Sequence, residues 1–379
     1  MFETVNFLPK KKAIKNFLNQ MKSSFILIIF LIYALNLFGQ NDSDIFLEGT
    51  TVTGIAEEDG YLWVATYGQG IYRYSFAEDK WINFSTKTGK LDTDLFYCIE
   101  VSKNYVWAGT TEGLFTFNKK RKKWSKRKFA KGGQFGNWIR SLKYDPQQNV
   151  LWIGRFRNIT RLDVKRRRYA DIDRQQGKDQ KTNNIKTIAL DGDSLIWFGT
   201  ESGVHIYNKK MKYSKPNAWR YLTNKKRGFK GEGSSVSVSS ILFEGKRIWF
   251  GTDEFTSKTN PEFNVGGIYI FNRQLDWHKI SQVNGLADNG IYFLVRTGNS
   301  IWAGVYSFDK KENTDRGRGL FIIDRNTLEI NEVDLNKLKI NSSAFITFYF
   351  DGKYLWLGSK SGLVRLKIFN PLAVWGSTK

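Results

Sequence analysis

Ile248-Trp249-Phe250-Gly251-Thr252 is one copy of a five-residue pattern that occurs seven times in this chain. The other copies are Leu62-Trp63-Val64-Ala65-Thr66, Val106-Trp107-Ala108-Gly109-Thr110, Leu151-Trp152-Ile153-Gly154-Arg155, Ile196-Trp197-Phe198-Gly199-Thr200, Ile301-Trp302-Ala303-Gly304-Val305 and Leu355-Trp356-Leu357-Gly358-Ser359. Successive tryptophans stand 44, 45, 45, 52, 53 and 54 residues apart. Self-similarity at such a period marks an array of stacked supersecondary units.

Each unit has the same surroundings. A strand-like run comes first, as in Leu95–Val101 or Ile291–Arg296, and a polar turn follows, often Asp-Gly as at Asp59-Gly60, Asp191-Gly192 and Asp351-Gly352. After the tryptophan strand comes a strand opened by glycine, as at Gly113-Leu114-Phe115 or Gly267-Ile268-Tyr269, and an aromatic-bearing fourth strand at Trp81, Trp124, Tyr169, Trp219 or Trp277. Four short strands per 44–54 residues are the arithmetic of a propeller blade. The expected fold is therefore all-β, a seven-bladed β-propeller of four-stranded antiparallel blades. The tryptophan strand reads as a continuous apolar run because neighbouring blades cover both faces of its sheet. The glycine two residues after tryptophan lets the neighbour approach closely. The seven tryptophans read as inter-blade core rather than as sugar-stacking platforms. For ring closure, Trp375 points to Ala373-Val374-Trp375 as the fourth strand of blade seven, with Asp44–Leu47 as the alternative.

The Asp-Gly turn, the Trp-x-Gly-Thr strand, the Gly-Leu-x-x-Tyr/Phe-Asn strand and the linker Asn284-Gly285-Leu286-Ala287-Asp288-Asn289 resemble the two-component-regulator propeller repeat. The resemblance spans roughly residues 50–368. WD40 and kelch propellers fit less well, since neither Trp-Asp strand ends nor paired glycines recur. The resemblance implies an extracytoplasmic sensor propeller, usually followed by a β-sandwich, a membrane helix and kinase domains. No phosphotransfer motif or second apolar span follows the last blade here, so the expectation is a recognition role without a kinase role.

The segment Phe25–Phe38 is almost wholly apolar, with Lys10, Lys11, Lys12, Lys15 and Lys22 before it and Gly39 after it. This is the layout of a signal peptide, too short to span a bilayer comfortably. The expected organisation is a signal peptide over 1–40, with Met21 as a natural start, and the propeller over 41–379. A membrane anchor is the lesser alternative. The protein is expected in the periplasm or outside the cell, so nucleic acid is not its expected partner despite 59 Lys plus Arg against 36 Asp plus Glu, a net charge of +23. That charge is local: residues 119–230 hold 31 basic and 8 acidic residues.

One cysteine and two histidines exclude a disulfide framework and leave little for a metal or triad site. No phosphate-binding glycine loop, HExxH or nucleophile elbow is present. No catalytic residue, metal or cofactor is expected. Binding residues are expected in the loops between strands two and three, long only in blades five (253–266) and six (305–319). The candidates are Asp253, Glu254, Asn260 and Glu262, with Tyr306, Asp309 and Arg316 in blade six. Tyr67, Arg155 and Arg157 stand at corresponding places after the tryptophan strands of other blades, and Trp138 and Tyr292 on the inter-blade loops offer stacking surfaces, with burial in the core as the equal alternative. A glycan, another extracellular ligand or a protein is the expected partner. On the opposite face, Lys119, Lys120, Arg121, Lys122, Lys123 and Arg127, then Lys165, Arg166, Arg167 and Arg168, then Lys209 and Lys210 fall between strands three and four of blades two to four. These form a candidate patch for docking on anionic envelope material. A propeller enzyme acting on extracellular polysaccharide is the remaining alternative.

Overall fold

The computed structural model describes residues 43–130, 135–233, 235–255, 265–274 and 276–368. The leader expected over 1–40, with its start at Met21, lies outside the described residues. Seven four-stranded antiparallel sheets follow one another along the chain. Blade five is typical: Val238–Glu244, Arg247–Thr252, Ile268–Phe271 and Trp277–Ile280, in that order across the sheet. The expected seven-bladed propeller is the observed fold. Among the described residues no helix is long and apolar enough to cross a membrane.

Burial explains the repeated motif. Six of the seven motif tryptophans are at most 1% exposed and Trp197 is 3% exposed, which places the rings between blades. A side chain on the glycine that follows would collide with the next blade. A Cβ on Gly109 would stand 2.6 Å from Ile139 Cγ2, and one on Gly358 would stand 2.6 Å from Val52 Cγ1. These two glycines thus admit a β-branched residue from the first strand of the neighbouring blade.

The ring closes differently from the favoured expectation. Ser43–Phe46, not a C-terminal segment, is the outermost strand of blade seven, paired antiparallel with Gly362–Lys367. Phe46 packs 5.6–5.9 Å from Tyr74, Trp81 and Trp356, and Asp44 Oδ2 accepts from Arg365 Nη2 at 2.7 Å. The apolar side of this short strand thereby fills the seam between blades seven and one. Ala373, Val374 and Trp375 lie outside the described residues.

Blade six also departs from expectation. The segment 305–319 is not a loop. Strands Ser300–Asp309 and Thr314–Asp324 continue past the sheet as a hairpin, pairing Tyr306 with Gly317 and Asp309 with Thr314. Alternating side chains and a turn at 310–313 let the insertion satisfy its own backbone.

Candidate functional site

The first strand of a blade lines the central channel, and in six of the seven blades it carries a β-bulge near its start. Pairing with the second strand slips by one residue at Thr53, Arg140, Lys186, Ser239, Tyr292 and Ile346. A bulge re-aims one side chain. All six of these residues, with Tyr97 at the same place in blade two, line a central cavity of about 590 Å³. Only Tyr292 was anticipated among them. The signal was present, because Thr53, Tyr97, Ser239, Tyr292 and Ile346 each stand ten positions before their tryptophan.

At the mouth the ring divides into two arcs. Blades one to three supply aromatic rings: Tyr67 lies 5.6 Å from Tyr97, Tyr97 lies 5.4 Å from Trp138, and Trp138 stacks on Phe156 at 5.3 Å. Tyr67 is 47% and Phe135 46% exposed. Blades four to seven supply an ionic network. The Lys186 ammonium pairs with Asp253, which also accepts from Ser237 Oγ at 2.6 Å and Tyr306 Oη at 2.8 Å. Tyr306 stacks on Tyr292 at 4.4 Å, Tyr292 donates to Asp315, and Lys360 Nζ reaches Asp315 Oδ2 at 2.9 Å. Arg140 and Glu201 form a further pair at 2.5 Å. A side pocket of about 520 Å³ opens here, lined by Lys186, Asp253, Glu254, Tyr292, Tyr306, Phe308 and Asp315.

The electrostatics follow from these contacts. Burial raises the Asp253 carboxyl, but Lys186, Ser237 and Tyr306 outweigh it and hold the group below the usual carboxylate range. Asp315 is likewise held low, against burial, by Tyr292 and Lys360. Burial and the Asp253 carboxylate push the Tyr306 phenol well up. Glu254 differs: burial and a hydrogen bond with Asp288 push its carboxyl up to about 8, although it accepts from the Phe308 amide at 2.7 Å.

The structure thus gathers Asp253, Glu254, Tyr306 and Tyr292 into one pocket and Tyr67 with Trp138 into the facing arc. Asp309 and Arg316 pair with each other at 2.6 Å farther out on the hairpin. Arg155 is buried, bonded to Gly136 O and Asp171, and serves packing rather than the mouth. Arg157 is exposed. Asn260 and Glu262 lie outside the described residues. Among the described residues no group of His, Cys, Asp and Glu could hold a metal ion.

The basic runs on the opposite face also divide. Lys119 pairs with Glu58 and Lys209 with Asp145, each reaching from one blade to the turn of the blade before it. Arg273 to Asp191 and Arg325 to Glu244 repeat the arrangement in blades five and six. Arg166 reaches Asp163 at 3.4 Å. Lys120, Arg121, Lys122, Lys123, Arg127, Lys165, Arg167, Arg168 and Lys210 are exposed.

No family model matches the chain. Histidine kinase P4 of Formosa agariphila is 23% identical over 369 residues, covering 89% of this chain and 24% of that protein. The extracellular domain of BT4673 from B. thetaiotaomicron superposes with a TM-score of 0.63 at 17% identity, over 88% of this chain and 40% of that one. PorZ, a bacterial surface component of the type-IX secretion system of Porphyromonas gingivalis, superposes with a TM-score of 0.59 at 13% identity, over 83% and 46%. The chain therefore spans about a quarter of the kinase it matches and less than half of these solved domains. The resemblance carried by the seven repeats is met in both comparisons: this chain is a seven-bladed propeller similar to a histidine kinase and to the extracellular domain of a two-component system.

Proposed function

We propose that this chain is an exported, non-enzymatic propeller that recognises a glycan or other extracellular ligand, or a protein, at the channel mouth. The observation that carries the reading is the convergence of seven first strands on one opening, with an aromatic arc facing an ionic arc beside a pocket of about 520 Å³. Rigid rings with a few oriented polar groups are the usual make-up of a ligand site. The carboxyl groups of the ionic arc are spent on partners: Asp253 holds Lys186, Ser237 and Tyr306, Asp315 holds Tyr292 and Lys360, and Glu254 is bonded to Asp288 and the Phe308 amide. That arrangement fixes geometry for recognition rather than freeing an acid and a base for hydrolysis. The extracellular setting of the BT4673 domain and the sequence's leader-like segment support export.

The test is binding of the secreted chain to a panel of neutral and acidic glycans, alongside Trp138→Ala and Tyr306→Phe. Weaker binding by either variant supports the mouth as the site. Turnover of any glycan, lost on Asp253→Ala, would overturn the non-enzymatic reading.

A further inference from the structure

One wedge between blades is built unlike the others. On the third strand, the residue facing the motif tryptophan across the sheet is Arg73, Arg161 or Arg365 in blades one, three and seven. It is Ile206, Ile270 or Ile322 in blades four, five and six. These long side chains occupy part of the wedge, although between blades one and two a cleft of about 450 Å³ remains beside Arg73, with Asp59 in its lining. Arg73 lies over the Tyr61 ring at 4.7 Å, and Arg365 over Tyr354 at 5.0 Å. In blade two the facing residue is Thr116, and the next strand offers Ser125 opposite it. Two small hydroxyl residues stand where a guanidinium or an aliphatic chain stands elsewhere. They line a cleft of about 520 Å³ between blades two and three, on the face that carries the turns between strands three and four.

Its lining is chemically one-sided. Arg121, Lys123, Arg127 and Arg167 stand around it, and no carboxylate lines it. All four are exposed, and none makes an ion pair among the described residues. Neighbouring cations of the same runs are spent on acids, as Lys119, Lys126 and Arg166 are. Trp107 forms the floor, and Tyr105 and Tyr169 form walls, with the Arg127 guanidinium 3.9 Å above the Tyr169 ring. Thr116, Asn118 and Ser125 add hydroxyl and amide groups.

We propose that this cleft binds an acidic oligosaccharide, its ring seated against Tyr105 and Tyr169 and its carboxylate or sulfate groups on the four cations. Cations alone would suit any polyanion. The cleft adds depth, aromatic walls and short polar side chains, which suit a polyhydroxylated ring. A lipid surface fits less well, because none of the large exposed apolar residues, Tyr67, Ile82, Leu95, Phe135 and Val283, lines the cleft. The proposal goes beyond the channel-mouth reading, and the two fail separately because they occupy opposite faces.

The test is calorimetric titration of the full exported chain with an oligogalacturonate hexamer, a sulfated glucose hexamer and a neutral glucose hexamer. The expected result is saturable binding of one or both acidic probes and none of the neutral one. Thr116→Arg gives blade two the residue of blades one, three and seven, so it places a bulky side chain over Trp107 inside the cleft while adding a positive charge. It should weaken binding by at least about tenfold, as should the surface pair Arg127→Ala with Arg167→Ala. Lys120→Ala with Arg168→Ala, which removes equal charge outside the cleft, should change binding less than about threefold. Equal or tighter binding by Thr116→Arg would overturn the site in favour of diffuse attraction. Retention on anionic phospholipid vesicles without binding of either acidic hexamer would also overturn it. Unchanged binding by the Arg127 and Arg167 pair would do so even if Thr116→Arg failed to fold.

Discussion

Lys209 Nζ lies 2.9 Å from Asp145 Oδ2, joining blade four to blade three with side chains only 3% and 1% exposed. Gln147 Oε1 accepts a further bond from the same ammonium at 3.1 Å. A lysine that belongs by sequence to a basic surface run is therefore a buried clasp. Removing one partner strands a charge away from water. Lys209→Met should lower unfolding stability by about 3–5 kcal/mol, whereas Lys209→Met combined with Asp145→Leu should recover most of that loss. Urea unfolding of the three proteins checks this. The more exposed clasp of Arg273 with Asp191 should cost only about 0.2–1 kcal/mol when broken by Arg273→Met.

The motif tryptophans should behave as core. Trp249 is fully buried, and its indole N–H donates to Glu244 Oε2 at 3.0 Å. Trp249→Ala should cost about 3–5 kcal/mol by opening a cavity between blades. A thermal unfolding series with Trp249→Phe, expected to lose less, separates lost volume from the lost hydrogen bond.

Closure by the N-terminal strand makes a local prediction. Phe46→Ala removes the ring that touches Tyr74, Trp81 and Trp356. Partial burial places its cost toward the lower end of about 3–5 kcal/mol. Amide exchange should quicken first at Leu363–Leu366, the partners of the closing strand, before it changes in blades three to five.

Glu254 predicts a loss of stability toward alkaline pH. Its carboxyl is raised to about 8 in the folded chain, above its ordinary value of 4.5. The folded state therefore binds its proton more tightly than the unfolded one. The stabilisation is complete below about pH 4.5 and is lost as pH rises through about 8. Glu254→Gln should flatten the unfolding free energy across that window, and persistence of the wild-type slope would assign it to another group.

His205 predicts the opposite limb. Burial lowers its imidazole to about 4 from an ordinary 6.5, and its Nε2 lies 2.8 Å from the Thr182 carbonyl oxygen. The neutral ring fits the folded state, so this contribution is present above about 6.5 and is lost as pH falls through about 4. His205→Gln should shift the baseline and remove that acid slope, as read by chemical unfolding between pH 4 and 7.

Part of the candidate site is legible in the sequence. Asp253, Glu254 and Tyr306 follow the tryptophan strands of two neighbouring blades, and strand direction alone places them on one face. Thr53, Arg140, Lys186, Ser239 and Ile346 were passed over because they sit in runs that read as ordinary first strands. Each stands at a register slip opposite the second strand and lines the central cavity with the residues that follow it. The blade-six insertion read as a loop because Asp309–Thr314 is polar, yet its backbone pairs as a hairpin.

The chain's own sequence determined the number of blades, the identity of each strand and the burial of the tryptophans. Those follow from a period, a turn and an apolar run, which are local properties of consecutive residues. Tertiary structure decided which terminus closes the ring, where each first strand carries its register slip, and which cations are clasps. It also decided that Thr116 and Ser125 stand in a cleft ringed by four cations. Each of those depends on a residue in another strand or blade: Ser43 on Leu366, Lys209 on Asp145, and Thr116 on Trp107 and on Tyr169 of the next blade. Pairing across such separations is set by packing the whole ring, so no window of sequence contains it.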